Sequence, residues 1–346
     1  MIYKDFYAGK NDDNRRLDKV LRIFIKDIPL NSIYKFIRKG LIKVNDKKTT
    51  QEYRVIEGDK ISVAEFIISQ DTKEAVTTPV SETAKTNSNT KIDFTTKLPP
   101  VVYENGHIII FNKPVNLSVH GDSKNGKLSL EQIYKNYYFQ QPHSNDSLSF
   151  CPGPLHRIDR MTSGLIAFSK SIDGARWFSQ AVKTHQIQKK YLSLLCGKLT
   201  EKCEWTDYID SKTDSEKTDL KFHTVKISSL DKTTENPNFK EAVSTVTPVA
   251  FGKYNNQDIT VAEIQIKTGR HHQIRSQCAL HSYPLLFDSA YSKNSETENK
   301  HFFLHARTLI IPEDNPIGLP QKIEAPLSED FIQFISKTCD IKSFDI

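Results

Sequence analysis

The stretch from residue 69 to 99 constrains the fold most, because it cannot join a core. It holds eleven Ser/Thr and only five residues of Ile, Leu, Val or Phe, with Pro79 and Pro99 and no apolar period. A segment of this kind is expected to be a flexible tether. The expected organisation is therefore a small domain over residues 13–65, a linker over 66–99 and a second domain over 100–346. At 346 residues the chain is long enough for both domains to bury cores.

Positive charge is concentrated in the first of these parts. Residues 15–60 carry thirteen Lys/Arg against six Asp/Glu, an excess of seven, whereas the whole chain carries +6. Leu17, Val20, Leu21 and Phe24 recur at helical spacing. A second short helix from Ser32 to Lys39 groups Lys35, Arg38 and Lys39 on one side, and Gly40 ends it. Residues 41–45 and 58–63 read as short strands. Such a basic face suits an acidic partner: phosphate contacts from it give affinity and register that weaken with salt, without reading sequence.

Five cysteines, Cys151, Cys196, Cys203, Cys278 and Cys339, are far apart and form no Cys-x-x-Cys pair, so neither a disulfide framework nor a zinc site is expected. The N-terminus lacks the apolar core of a signal peptide, and the longest apolar run, near Ile108, is too short to cross a bilayer. These features predict a cytoplasmic protein with no membrane partner.

The C-terminal region alternates strands with a few helices. Pro99-Pro100 leads into a hairpin, residues 101–104 and 107–111, turning at Asn105-Gly106. Ile172, Ala175, Phe178 and Ala181 predict an amphipathic helix, residues 189–195 a strand with Tyr191 near its head, and residues 260–266 a strand running into Lys267-Thr268-Gly269-Arg270-His271-His272-Gln273-Ile274-Arg275. Between about 210 and 240 the chain is hydrophilic and reads as surface strands and loops. His271 and His272 suggest a metal site, but adjacent histidines on a helix do not face one ligand position, and no carboxylate lies at the spacing zinc enzymes use. No metal is expected.

Chemistry concentrates in His156-Arg157-Ile158-Asp159-Arg160-Met161-Thr162-Ser163-Gly164-Leu165. One acid lies between two guanidinium groups ahead of a small-residue turn. Neighbouring positive charge favours the carboxylate, which can act as a nucleophile or base and is a poor general acid. A surface Arg-Asp-Arg ion pair would present the same charge order.

The decapeptide resembles the His-Arg-Leu-Asp-Arg-x-Thr-Ser-Gly-Leu signature of the RluA family of RNA pseudouridine synthases, departing from it only at Ile158. Three further runs carry the likeness. Asn112-Lys113-Pro114-Val115-Asn116-Leu117-Ser118-Val119-His120 resembles Asn-Lys-Pro-x-Gly-Leu-x-Val-His, and residues 268–275 resemble Thr-Gly-Arg-x-His-Gln-Ile-Arg. Residues 283–292 resemble His-Pro-x-x-Gly-Asp-x-x-Tyr-Gly, with Phe287 and Ser292 in place of both glycines. The N-terminal module is similar to the S-four RNA-binding domain that precedes the catalytic domain in RluC-like members.

The resemblance implies an α+β fold, a mainly antiparallel mixed sheet with flanking helices, plus a small α/β S-four domain. It implies isomerisation of uridine to pseudouridine within RNA, without a cofactor, by a monomer. Asp159 is then the catalytic residue, Arg275 its partner and Tyr191 the ring that stacks on the target base. Arg157 enters the vacated RNA stack, and Arg160, Arg270 and His272 join Lys35, Arg38 and Lys39 as RNA-binding residues. Asp159 attacking the sugar, attacking the base and removing a sugar proton all remain open. Bacterial large-subunit ribosomal RNA is the expected substrate, with transfer RNA the alternative. A glycoside hydrolase needs two carboxylates in different protonation states and a metal nuclease needs clustered ligands, neither of which is evident. A ribosome-assembly protein that has lost catalysis is the remaining rival, given Phe287 and Ser292. A positive φ at the first of these positions would strain a phenylalanine.

Overall fold

The computed structural model describes residues 1–25, 28–72, 97–121, 128–141, 147–210, 224–231, 233, 236–292 and 301–339. Most of the expected tether, residues 73–96, and residues 211–223 of the hydrophilic stretch lie outside the described residues. The chain forms two compact units.

The first unit comprises residues 1–97, 122–153 and 170–173. Strands β1 (Tyr3–Tyr7), β2 (Ile42–Val44) and β3 (Lys60–Ala64) form an antiparallel sheet in the order β1-β3-β2. Helices α1 (Leu17–Phe24) and α2 (Leu30–Lys39) turn Leu17, Val20, Leu21, Ile33 and Ile37 into the core against Ile42, Ile61 and Val63. Gly40 ends α2 at φ 70°, a left-handed cap that costs glycine little. Lys35, Arg38 and Lys39 are all exposed on α2.

Two features depart from the expected boundaries. Residues 65–72, mostly assigned to the linker, form helix α3 (Glu65–Thr72), because Ile67 is buried in the unit's core. Residues 122–153 belong to this unit, although the expected boundary placed them in the second domain. The buried Asp12 carboxylate accepts hydrogen bonds from the Ser147 hydroxyl, the Leu148 N–H and the Ser149 hydroxyl, a tie between segments no local pattern announces. Helix α4 (Leu130–Phe139) lies in the same segment, capped by Ser129 and Gln132.

The second unit comprises residues 98–121, 154–169 and 174–346. Its sheet contains β4 (Val101–Glu104), β5 (Ile108–Lys113), β6 (Ser163–Ser169), β7 (Gln188–Cys196), β8 (Cys203–Asp210), β9 (Ile227–Ser228), β10 (Phe239–Tyr254), β11 (Gln257–Ile266), β12 (Leu304–Ile310) and β13 (Lys322–Glu324). The order is β4-β5-β6-β12-β7-β11-β10-β8-β9, with β13 beside β12. Among the described residues only β6 and β12 pair in parallel, so the mixed, mainly antiparallel sheet is as expected. Asn105 closes the β4–β5 hairpin, its Oδ1 accepting from the N–H groups of His107 and Ile108.

Helices flank this sheet. Phe178 and Ala181 of α5 (Ile172–Lys183) pack with Ile108, Ile110, Leu165 and Ala167, the face that the apolar spacing of α5 predicts. Phe331 and Ile335 of α7 (Glu329–Thr338) pack with Leu192, Leu194 and Val261. No helix among the described residues is long and apolar enough to cross a membrane.

One row across the sheet positions the chemistry. Gly164 on β6, Ala306 on β12, Tyr191 on β7 and Ile264 on β11 are successive Cα partners. The loop before β6, which carries Asp159, is thereby set near Tyr191 and near the end of β11, where residues 267–275 begin. Gly164 has φ 106°, and a Cβ there would overlap the Ala306 carbonyl, so the glycine makes the parallel pairing possible.

The three positions where glycine is replaced behave differently. Asn116 takes φ 65° and Phe287 takes φ 68°, whereas Ser292 is not in the left-handed region. Phe287 is strained as expected, yet its ring is buried among Tyr254, Phe303 and Phe334 at centroid distances of 5.3, 6.0 and 5.6 Å. Relief of a left-handed conformation is worth about 1–2 kcal/mol, while truncating a buried phenylalanine costs about 3–5 kcal/mol. Packing wins. Phe287→Gly is expected to lower unfolding stability by about 2 kcal/mol, read as a lower denaturant midpoint; an increase would show that strain dominates.

Candidate active site

Leu155, His156, Arg157, Asp159, Thr162, Lys189, Tyr191 and residues 266–275 line one pocket of the second unit. Asp159 sits in a turn whose backbone carbonyl accepts from the Thr162 N–H at 3.0 Å. Its carboxylate is about one-fifth exposed and lies 3.8 Å from Arg275 Nη1 and 3.8 Å from His272 Nε2. Arg157 and Arg160, the flanking cations, are exposed and form no ion pair with it. The nearest guanidinium therefore comes from α6 (Gln273–Leu280), 116 positions along the chain, rather than from the sequence neighbours.

Arg275 is held mainly by another acid. Its Nε and Nη2 donate to the Asp288 carboxylate at 2.7 and 2.8 Å, a bidentate pair with Asp288 almost fully buried. Burial opposes the charge on Arg275, but the Asp288 hydrogen bonds together with the charges of Asp288 and Asp159 outweigh it and raise the guanidinium pKa above its ordinary value. The guanidinium carbon also lies 5.0 and 4.6 Å from the ring centroids of Tyr291 and Phe302. Asp288, Tyr291 and Phe302 were not among the expected site residues. The Gly-Asp-x-x-Tyr pattern contained the first two, but pairing with a distant arginine is invisible in a linear run.

Hydrogen bonding fixes the state of His272. Arg275 Nη1 donates to His272 Nε2 at 2.9 Å, because a guanidinium has no acceptor. The ring proton then lies on Nδ1, which is 3.0 Å from the Tyr291 hydroxyl, itself an acceptor from the Val225 N–H. This geometry corrects the steric reason given against a metal. His272 precedes α6 with φ 52°, so its ring stands 4.0 Å from that of His271, and ligand atoms of Asp159, His271 and His272 come within 4.8 Å of one another. Both His272 nitrogens are already engaged, however, and the Arg275 cation faces the same carboxylate, which opposes a second cation there.

Tyr191 is 7% exposed and shares the pocket with Asp159. Burial raises its phenol pKa, and the Asp159 charge adds to the effect, so the hydroxyl stays neutral. Arg157 and Arg270 are exposed at the pocket, the latter anchored by Nε donation to the Glu241 carbonyl at 2.9 Å. Arg160 lies outside the pocket lining, and its carbonyl accepts from the buried Lys113 ammonium at 3.1 Å. Lys113 also donates to the carbonyls of Pro114 and Leu117, bracing the loop after Asp159. Lys35, Arg38 and Lys39 lie in the first unit, and Lys113 and Lys189 had no site role in the expected set.

The pocket thus holds a carboxylate facing a guanidinium clamped by a second acid, with a buried neutral phenol, at the end of the parallel strand pair β6–β12. Residues 107–280 match the family model described as RNA pseudouridylate synthase, and the chain belongs to that family. It is an RNA pseudouridine synthase, an isomerase. Among its relatives is a protein named ribosomal large subunit pseudouridine synthase C from Buchnera aphidicola subsp. Acyrthosiphon pisum, 28% identical over 95% of this chain and 96% of that one. The protein of the same name from Escherichia coli K12 is 27% identical, with 94% of each chain covered. An uncharacterized RNA pseudouridine synthase of Mycoplasma capricolum is 27% identical over 87% of this chain and 89% of that one. The fold is also that of human RNA pseudouridylate synthase domain containing 4, at a TM-score of 0.52 and 20% identity, over 68% of this chain and 92% of the other.

Proposed function

We propose that this protein isomerises uridine in bacterial large-subunit ribosomal RNA, with Asp159 as the reacting group. The observation that carries this assignment is the Asp159 carboxylate, 3.8 Å from Arg275 Nη1 in the pocket that Tyr191 lines. Arg275, clamped by Asp288, orients Asp159 before RNA arrives and costs no reorganisation during reaction. Tyr191 stacks on the everted base; such stacking is worth about 1–3 kcal/mol and helps offset the few kcal/mol of extrusion. Arg157 fills the gap left in the RNA stack, and Arg270 contacts the backbone beside it.

The relatives named as large-subunit enzymes match along almost the whole chain, which supports ribosomal over transfer RNA. RNA carrying uridine tritiated at carbon five tests the choice. Label release is expected from unmodified large-subunit RNA and not from transfer RNA; the reverse would sink the substrate assignment.

The first unit supplies affinity as an S-four-type module, acting within a cytoplasmic monomer. Replacing Lys35, Arg38 and Lys39 together with Gln is expected to reduce the slope of log affinity against log salt by about 2, with the rate on bound RNA unchanged. An unaltered slope would place phosphate binding elsewhere.

A further inference from the structure

Two nitrogen donors in the pocket have no partner and no part in the account above. Lys189 lies two residues before Tyr191 on β7, so strand alternation puts both side chains on one face, with Cα atoms about 7 Å apart. Its neighbour Lys190 points the other way and pairs with Glu263 at 2.9 Å. The Lys189 ammonium makes no hydrogen bond or ion pair among the described residues. Its Nζ lies beside Gly269, 3.5 Å from where a Cβ would stand, an ordinary contact distance. Burial holds its pKa below the ordinary lysine value, although the side chain is half-buried rather than closed off.

The second donor is on His156. Its Nε2 accepts from the Ala167 N–H at 3.1 Å, which puts the ring proton on Nδ1, and that atom is buried with no partner. Burial pushes the His156 pKa down to about 3, with the Lys189 charge acting in the same direction, so the ring is neutral and the two groups are near each other. A buried, unanswered donor on His156 and a half-buried, unpaired Lys189 ammonium lining one pocket suit an acceptor that arrives with substrate.

The reaction supplies one. When the bond from C1′ to N1 breaks, its electron pair leaves with the pyrimidine, whichever role Asp159 plays. The charge spreads onto the ring oxygens until C5 bonds to C1′ and the C5 proton passes to solvent. Lys183 and Arg270, exposed at the pocket rim, are placed to take the strand's phosphates instead. We infer that Lys189, assisted by the His156 Nδ1–H, is the subsite for the pyrimidine oxygen on which negative charge develops, making Lys189 a further catalytic residue. This inference rests on the assignment of Asp159 and Tyr191 above.

The test is single-turnover label release from large-subunit RNA tritiated at uridine carbon five, with RNA affinity measured on the same full-length proteins. Lys189→Met is expected to slow release by about 10²-fold or more, the scale of losing one preorganised donor, with affinity within about threefold of wild type and an unchanged salt slope. Lys189→Arg, which keeps the charge, is expected to recover part of the rate. Lys189→Gln serves if a thermal melt shows the Met variant unfolded. A rate near wild type in either neutral variant would overturn the inference, and so would a loss confined to affinity with a shallower salt slope, the sign of a phosphate contact. If Asp159→Asn is inactive while Lys189→Met is not, only the Lys189 role fails; if Asp159→Asn is active, the underlying site reading fails.

Discussion

Asp159→Asn is expected to reduce pseudouridine formation by at least about 10⁴-fold while RNA affinity changes by less than about threefold. The substitution keeps size and shape but removes the charge, and an amide serves neither as base nor as nucleophile toward sugar or base. Affinity is expected to survive because the carboxylate sits on the pocket wall at about one-fifth exposure, while the exposed cations at its rim, Arg157 and Arg270, are untouched. Arg275 also keeps its place, since Asp288 rather than Asp159 takes its two short hydrogen bonds. A residual rate within tenfold of wild type would mean that another group performs the chemistry.

Asp288→Ala is expected to cost about 3–5 kcal/mol of stability, because it leaves a buried guanidinium with no carboxylate in bidentate contact. Arg275 has only 9% of its side chain exposed, so water cannot replace the lost partner. For a protein of this size the loss corresponds to a melting temperature lower by about 10 °C. Activity should fall as well, since Arg275 is then free to collapse onto Asp159 and tie up the reacting carboxylate. The double variant Arg275→Met with Asp288→Leu removes both charges and should regain much of the stability, yet remain poorly active without the guanidinium that orients Asp159. Equal stability of Asp288→Ala and wild type would show that the pair is not the brace described.

The elements legible in the sequence were those governed by local period and turn chemistry. The β4–β5 hairpin follows from an apolar run on each side of Asn105-Gly106, and α5 from the spacing of Phe178 and Ala181. The left-handed residues Gly40 and Asn116 were legible for the same reason. What escaped was set by partners far away in the chain. β1 carries no strong signal in Tyr3–Tyr7 and exists because β3 pairs with it. The inclusion of residues 122–153 in the first unit depends on Asp12, and α3 on one side, Ile67, buried in a core that the linker composition disguised.

The site divided along the same line. Asp159, Tyr191 and Arg275 were named through their motifs and do converge on one pocket. The positive charge at Asp159 comes from Arg275 rather than from its neighbours Arg157 and Arg160, since a turn can point adjacent side chains apart. His272 stands before α6 at φ 52° rather than within a helix, and hydrogen bonds occupy both of its ring nitrogens, which opposes a metal there.

The most direct measurement is nucleoside analysis of unmodified large-subunit RNA after incubation with the wild-type protein and with Asp159→Asn. Isomerisation conserves mass, so the account predicts that uridine is replaced mole for mole by pseudouridine in the first sample only, with no free uracil in either. Free uracil in the first sample, or equal pseudouridine in both, would contradict it.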